Sequence, residues 1–116
     1  SMSLRKKASQ FVVGFALETE NEIENAKSKL ISKKLAACVN LQAECTSIYR
    51  WQDKIETISE LPVFIKTLAG HYPRVEEIIK EMHPDELPEI ISVSISGGLP
   101  AYLQWISDET ATSNKK

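Results

Sequence analysis

The sequence predicts an α+β fold in which helices cover one face of an antiparallel sheet. Segments rich in β-branched and aromatic residues alternate with segments whose apolar residues recur every three or four positions. Two of the strand-like segments follow one another directly, which is typical of a β-hairpin. With 116 residues, of which 42% are hydrophobic, the chain is long enough for one domain with its own core.

The first strand and the first helix are predicted near the N-terminus. "QFVVGFAL" (10–17) is short, β-branched and aromatic, which is typical of a buried strand. "TENE" (19–22) follows with the spacing of a capping box, in which Thr and Glu side chains bond the free amides of a helix start. Acidic residues at the start and lysines at the end then suit the helix dipole. Together these patterns predict a helix over 20–35.

A long hairpin is predicted in the middle of the chain, from strands at 36–51 and 53–68. The turn is placed at Gln52 and Asp53, because Asp tolerates left-handed backbone conformations. Pro62 has no amide proton for a sheet ladder, so we expect a bulge or an edge position there. Strict alternation predicts that one face of the first strand carries Ala37, Val39, Leu41, Ala43, Cys45, Tyr49 and Trp51.

The last third of the chain predicts a helix, a strand and a short final helix. The helix spans 69–84, with Pro73 at its first position and Pro84 ending it. The strand at 89–96 alternates, and the final helix spans 99–110. The order β-α-β-β-α-β plus a C-terminal helix is that of the split βαβ, or ferredoxin-like, fold.

The two ends of the chain are predicted to lie outside this domain. The opening "SMS" resembles the remnant of an expression tag, so residues 1–9 are expected to be disordered or tag-derived. The domain is expected to cover 10–110, with a C-terminal tail at 111–116. Any native targeting segment would lie upstream of this start.

Charge and cysteine usage exclude several classes of partner. The net charge of −2 argues against a nucleic-acid or anionic-membrane binder, whose signature is a basic patch. No apolar run reaches the roughly 18 residues needed to cross a membrane. Cys38 and Cys45 would lie roughly 23 Å apart on one strand, whereas a disulfide needs Cα atoms within about 7 Å. A reducing, cytoplasmic setting is therefore expected.

The length of the hairpin predicts a closed homo-oligomer. Strands of about 14 residues would span roughly 46 Å, whereas a compact chain of this size is roughly 35 Å across. An exposed apolar ribbon of two strands is marginally stable alone, and packing against sister subunits would cover it. The alternative is that bulges break the strands and fold them back onto their own chain.

Five blocks of the sequence, in the same order, resemble the CutA family of divalent-cation tolerance proteins: "KLAACVNL" (34–41), "SIYRWQDKIE" (47–56), "FIKT" (64–67), "HPDELPEII" (83–91) and "AYLQWI" (101–106). The resemblance covers roughly residues 10–110. It implies a ferredoxin-like subunit in a homotrimer whose hairpins pair between subunits. It also implies a role in the tolerance of divalent ions such as copper, with copper binding by some members and no established enzymatic reaction.

This chain departs from the family pattern at several positions. Some bacterial members have a cysteine at the end of the first strand and two histidines before the proline. Those positions hold Phe15, Met82 and His83 here, so only one of the three ligands remains. An aromatic residue after the proline is replaced by Asp85, and a glycine in the hairpin turn is replaced by Asp53.

His83, Glu89 and Cys38 are the candidate metal ligands. Imidazole and thiolate suit soft or borderline metals, so copper or another divalent cation is the candidate ion, and no cofactor is firmly predicted. The structural alternatives are that His83 bonds the last helix carbonyls and that Cys38 is a packing residue. Because no H-x-x-x-H or C-x-x-C pair occurs, a zinc site preformed within one chain is not expected.

Aromatic and charged residues predict a ligand cleft. The resemblance implies that Lys66 and Glu89 line a cleft between subunits, and an ion pair between these two residues is the alternative. Aromatic walls with a few charges suit a small-molecule site, although they also suit a subunit interface. The predicted cleft set is Tyr49, Trp51, Lys66, Glu86, Glu89, Tyr102 and Trp105.

Three other functions are alternatives to a non-enzymatic tolerance protein. A PII-like signalling trimer with a ligand cleft between subunits is the main alternative, although only Gly97 and Gly98 could contribute to a glycine-rich phosphate cradle. A hydrolase is not expected, because no G-x-S-x-G occurs. An RNA-recognition module would need aromatic residues on the central strands with basic flanks, and "FVVGFAL" and "LPVFIKTL" are too apolar for this.

Overall fold

The computed structural model describes residues 9–17, 20–83 and 86–111. Thr19 of the predicted capping box, Pro84 and most of both predicted tails lie outside these ranges. The described elements are, in chain order, β1 (Gln10–Leu17), α1 (Glu20–Ala26), β2 (Cys38–Leu41), β3 (Cys45–Trp51), β4 (Lys54–Leu68), α2 (Tyr72–Met82), β5 (Ile90–Ser94) and α3 (Pro100–Glu109). This order confirms the predicted α+β class with an antiparallel sheet.

The sheet is built around β4, which is its longest strand. Neighbouring strands are antiparallel in the order β2-β4-β1-β5, and β3 pairs with the outer half of β4. Phe15 of β1, for example, lies between Val63 of β4 and Ile90 of β5. Because β1 and β5 end at the middle of β4, the outer half of β4 leaves the sheet as a hairpin with β3.

The core lies between one face of the sheet and the helices α1 and α2. Alternate residues of β1 and β4 point towards these helices and are fully or almost fully buried. The buried cluster includes Val13, Phe15, Leu17, Leu30, Val63, Ile65, Val75, Ile78 and Ile79. Burial of these side chains is the main stabilising contribution to this fold.

The opposite face of the sheet is largely apolar and exposed. Phe64, Ile91 and Val93 are 42%, 53% and 58% exposed on it. Gly14 lies opposite both Phe64 and Ile91, and a Cβ atom there would come within 3.3 Å of the Phe64 ring. The glycine thus allows these side chains to pack close together over the sheet. At one end of this face, the Tyr102 ring of α3 lies 6.0 Å from Lys66 Nζ.

The prediction of one uninterrupted strand over 36–51 is wrong. Leu41 lies opposite Val63, and Cys45 lies opposite Glu60, so three residues at 42–44 face only two residues of β4. This extra residue is a β-bulge, and it divides the predicted strand into β2 and β3.

The bulge also contradicts the prediction that seven alternating residues share one face. Val39 lies opposite Ile65 and packs against the core, as alternation predicts. Beyond the bulge the alternation of side chains between the two faces is shifted by one residue. Cys45, Tyr49 and Trp51 therefore lie on the face opposite the core.

Pro62 lies inside β4, opposite Ala16, and not at an edge. Its carbonyl oxygen accepts the amide proton of Gln42 at 3.0 Å, so its missing N–H points towards the same neighbouring strand. The bulge occurs there because Pro62 offers β3 no donor at this point of the ladder. The expected bulge therefore lies on the partner strand.

The first helix ends earlier than the predicted residue 35. After α1 the chain forms a π-helical turn at Lys27–Ile31, and Lys34 then adopts a left-handed φ of 61°. The Leu35 amide donates to the Leu30 carbonyl at 2.9 Å, which closes the helix end. This left-handed residue stops the helix although no proline or glycine is present.

The predicted hairpin turn is confirmed. Gln52 and Asp53 have φ values of 49° and 66°, which is the pattern of a two-residue type I′ turn. The hairpin contributes to a molecule with extents of 47 × 27 × 23 Å. Ile48 and Ile55 on the hairpin are each 70% exposed. Within the described ranges, no helix is both long and apolar enough to span a membrane.

Candidate functional site

A cavity of about 760 Å³ lies where the hairpin leaves the sheet. One wall is the outer part of the hairpin, and the other is the corner between α2 and β5. Its lining comprises Ala16, the hairpin residues Ser47–Trp51, Ile58 and Glu60, and the corner residues His83, Glu86, Leu87 and Glu89. A cavity of this size is in the range of small-molecule sites.

The His83 side chain connects the corner between α2 and β5 to strand β1 by a hydrogen bond. His83 caps the end of α2, where its amide donates to the Ile79 carbonyl at 3.0 Å. Its ring is buried, and Nε2 lies 2.9 Å from the carbonyl oxygen of Ala16. Because a carbonyl only accepts, Nε2 carries a proton and donates it. While this bond persists, Nε2 is not available as a metal ligand.

Glu60 is held at the cavity by the neighbouring strand. The Ser47 hydroxyl donates a hydrogen bond to Glu60 Oε1, and the Cys45 sulfur lies 3.9 Å from the same hydroxyl. Cys45 is the residue directly opposite Glu60 in the ladder. The hairpin register therefore directs one Glu60 carboxylate oxygen towards Ser47 on the neighbouring strand β3.

The charged groups of the cavity are dispersed. Glu60 comes from β4, Glu86 and Glu89 come from the corner, and Arg50 comes from β3. Across residues 9–17, 20–83 and 86–111, no three His, Cys, Asp or Glu side chains are grouped closely enough to hold a metal ion. The described ion pairs, Lys27–Glu24 and Arg74–Glu77, both lie outside the cavity.

The predicted cleft residues separate into two groups within one chain. Four of the seven line the cavity: Tyr49, Trp51, Glu86 and Glu89. The other three, Lys66, Tyr102 and Trp105, lie together at the exposed sheet face. Of the predicted metal ligands, His83 and Glu89 line the cavity, whereas Cys38 does not.

The second group is built around the Lys66 ammonium. Lys66 Nζ donates to Asn40 Oδ1 at 2.7 Å, and the Cys38 thiol donates to the same oxygen at 3.4 Å. Tyr102 lies beneath this ammonium and stacks on Trp105 with ring centroids 5.4 Å apart. Within one chain, neither of the described ion pairs joins Lys66 and Glu89, so an ion pair between these residues of neighbouring subunits stays a prediction.

Seven cavity residues escaped the sequence prediction: Ala16, Ser47, Ile48, Arg50, Ile58, Glu60 and Leu87. The signal for Glu60 was nevertheless present. Counting back from the two-residue turn at Gln52 and Asp53 pairs Trp51 with Lys54 and Cys45 with Glu60. Glu60 therefore shares its face with the aromatic residues of β3.

The sequence model of the family described as CutA1 divalent ion tolerance protein matches residues 11–109 of this chain. The chain belongs to the CutA1 family. This confirms the resemblance on which the sequence prediction was based.

Three similar proteins support this assignment. The divalent-cation tolerance protein CutA of Thermus thermophilus is 35% identical over 99 residues, which are 85% of this chain and 96% of that protein. Protein CutA of Mus musculus is 42% identical over 81 residues, which are 70% of this chain, and the match spans only 46% of that protein's length. The crystal structure of CutA1 from Shewanella sp. SIB1 superimposes with a TM-score of 0.84 at 35% identity, covering 90% of this chain and 97% of that one.

Proposed function

We propose that this protein contributes to the tolerance of divalent cations, copper among them, as a non-enzymatic homotrimer of ferredoxin-like subunits. The observation that supports this role most directly is the family match over residues 11–109. The strand order β2-β4-β1-β5, with α1 and α2 on one face, supports the ferredoxin-like description. The match gives no support to the alternative, a PII-like signalling trimer.

The exposed hairpin supports the proposed homotrimer. Ile48 and Ile55 are each 70% exposed on a two-stranded ribbon, and such a ribbon is marginally stable in water. Contacts between subunits would cover these side chains. The proposed setting is the cytoplasm, where the free thiols of Cys38 and Cys45 would stay reduced.

The described residues of one chain do not fit a preformed copper site. His83 and Glu89 lie at the cavity, but the described part of the chain gathers no third ligand with them. In addition, His83 Nε2 donates to the Ala16 carbonyl. The proposed tolerance role therefore does not rest on tight chelation by a single subunit.

Complementation tests the tolerance role. In a copper-sensitive bacterial strain that lacks its own family member, we expect this chain to restore growth at a copper concentration that stops the parent. The empty vector is the control, and expression is checked by immunoblot. Absence of growth with the folded protein present would contradict the proposed role.

Copper titration by calorimetry tests the binding part separately. For the metal-stripped, assembled protein we expect weak binding that is little changed in His83→Ala, because one chain offers no group of three ligands. Tight binding at a fixed stoichiometry, lost in His83→Ala, would contradict this expectation. It would assign the copper site to His83 in the assembled protein.

A further inference from the structure

The helix α3 contacts the rest of the domain through a stripe that is only half apolar. The residues of this stripe recur at the spacing of one helix face, and they are Leu103, Ile106, Ser107 and Thr110. The stripe of α2 is instead entirely apolar and consists of Val75, Ile78, Ile79 and Met82. In addition, Ile106 is fully buried but lies outside the main buried cluster. Apolar burial therefore stabilises the position of α3 less than that of α2.

Side-chain hydrogen bonds hold α3 at two places. Gln10, at the start of β1, donates from Nε2 to the Leu103 carbonyl and to the Ser107 hydroxyl, each at 3.2 Å. His71, directly before α2, has its Nε2 atom 2.8 Å from the Thr110 carbonyl oxygen. This nitrogen donates, because a carbonyl only accepts. One hydrogen bond contributes little net stability, so α3 can separate from the sheet at a moderate cost in free energy.

The connection between β5 and α3 has the properties of a hinge. Residues 95–99 belong to neither strand nor helix, and within the described ranges no backbone hydrogen bond involves residues 96–98. A Cβ atom at Gly97 would meet no heavy atom within 4 Å, and no described glycine has a positive φ. Neither close packing nor a left-handed backbone therefore requires glycine at this position. The freedom of its backbone is what Gly97 contributes to the connection.

The position of α3 determines how far the Lys66 ammonium is covered. The Tyr102 ring of α3 has its centroid 6.0 Å from Lys66 Nζ, and it stacks on Trp105 of the same helix. Lys66 is half-buried, and its Nζ atom donates to Asn40 Oδ1. Movement of α3 away from the sheet would remove both aromatic rings from this ammonium and leave its bond to Asn40 in place.

We propose that α3 is a hinged cover for the Lys66 ammonium. It separates from the sheet as one unit about Gly97, while the sheet, α1 and α2 stay folded. Such local opening is typical of elements that bury little apolar surface. The hydrogen bonds from Gln10 and His71 determine how often α3 opens. All of these contacts lie within one chain, so the opening does not depend on the proposed role in divalent-ion tolerance.

Amide hydrogen exchange measures the opening of α3. Deuterium uptake of the full-length, assembled protein is followed by mass spectrometry on peptides from α3 and from α2. We expect the protected amides of α3 to exchange at least about tenfold faster than those of α2, because α2 is released only by unfolding of the core.

Two variants should change this exchange in opposite directions. His71→Ala should speed the exchange of α3 about tenfold, as expected for the loss of one hydrogen bond, and leave that of α2 unchanged. Gly97→Ala should slow the exchange of α3 about two- to fivefold, because alanine restricts the open state and meets no clash in the closed one. Glu81→Gln, at an exposed position of α2, should exchange like the parent.

Acetylation of lysine amines tests what α3 covers. The proteins are treated briefly with acetic anhydride, and the modification of each lysine is measured by mass spectrometry. Lys66 should react faster in His71→Ala and more slowly in Gly97→Ala than in the parent. Lys80, at an exposed position of α2, is the internal control and should react equally in all three proteins.

Three results would overturn the proposal of a hinged cover. The first is equal exchange of α3 and α2 in the assembled protein, which means that α3 opens only when the whole domain unfolds or that a neighbouring subunit holds it closed. The second is unchanged or faster exchange of α3 in Gly97→Ala, a test that stands even if His71→Ala does not fold. The third is unchanged acetylation of Lys66 in variants whose α3 exchange has changed. Circular dichroism and light scattering check folding and assembly.

Discussion

At the residue scale, one hydrogen bond connects distant parts of the chain at the cavity. His83 and Ala16 are 67 positions apart, and the bond from His83 Nε2 to the Ala16 carbonyl holds the corner against β1. Because the ring is buried, water cannot readily replace it as a donor to this carbonyl. A single side chain thus positions the wall that carries Glu86 and Glu89.

Replacing His83 should therefore destabilise the fold. We expect His83→Ala to lower the free energy of unfolding by about 1–3 kcal/mol, because a buried carbonyl loses its donor. Urea unfolding at one fixed protein concentration measures the change, since assembly contributes to apparent stability. The exposed variant Glu81→Gln is the matched control on the same helix. Equal stability of His83→Ala and the parent would show that the bond contributes little.

Tyr72 makes a contribution to the stability of the fold that depends on pH. Burial raises the pKa of the Tyr72 hydroxyl above the usual 10.0. The hydrogen bond to Glu76 and the negative charge of Glu76 raise this pKa further. The hydroxyl donates to Glu76 Oε2 at 2.9 Å. A raised pKa means that the fold favours the neutral form, so the stabilisation is complete below pH 10 and is lost as the pH rises through the folded-state value.

Removing this hydroxyl should have a cost that disappears at high pH. We expect Tyr72→Phe to lower the free energy of unfolding by about 0.5–1.5 kcal/mol at pH 8. The difference from the parent should shrink above about pH 10. Urea unfolding at a series of pH values measures it. A difference that grows with pH would contradict the assigned sign.

At the element scale, the end of the first helix depends on a strained residue. Lys34 adopts a φ of 61°, which costs energy for any residue with a Cβ atom, and it does so to let Leu35 bond back to Leu30. The strain is local, because the bond that closes the helix involves backbone atoms only. Glycine is the residue that would adopt this conformation without strain.

Lys34→Gly should therefore stabilise the protein. We expect a gain of about 0.5–1 kcal/mol in the free energy of unfolding, because the left-handed strain is removed. Lys33→Gly is the matched control, since Lys33 is not among the described residues with positive φ. That change should leave stability unchanged or lower it. A loss of stability in Lys34→Gly as large as that in Lys33→Gly would contradict the assignment.

At the scale of the whole molecule, the projecting hairpin and the open face of the sheet need a partner surface. The exposed apolar side chains lie on the hairpin at Ile48 and Ile55, and on the sheet at Phe64, Ile91 and Val93. A surface of this kind on a small chain is typical of a subunit interface. The proposed homotrimer would cover it and would complete the surroundings of the cavity.

Charged residues on the hairpin should dissociate the proposed homotrimer. The parent should have about 39 kDa by light scattering, three times the chain mass of 13.0 kDa. We expect the double variant Ile48→Glu and Ile55→Glu to shift this mass towards one chain, because six buried charges would lack partners. Glu77→Lys on the exposed face of α2 is the control. A monomeric parent would contradict the trimer itself.

Part of the site followed from sequence, and part did not. Tyr49, Trp51, His83, Glu86 and Glu89 were predicted to contribute to a metal or ligand site, and all five line one cavity. Glu60 required the exact ladder register. Lys66, which was predicted to line a cleft between subunits with these residues, lies at another face of the single chain. Which residues of different elements lie together depends on how those elements pack. The periodicity of the sequence does not specify this packing.

The sequence by itself determined the hairpin turn, the class of the fold and the order of its elements, apart from the division of one strand into β2 and β3. Local patterns suffice there, because apolar spacing and turn residues act within a few positions. The placement of the bulge at 42–44, on the strand that pairs with Pro62, and the bond between His83 and Ala16 were decided only in the tertiary structure. Both depend on pairing between residues far apart in the chain. Such pairing is selected by the burial and hydrogen bonding of the whole domain, and no short segment specifies it.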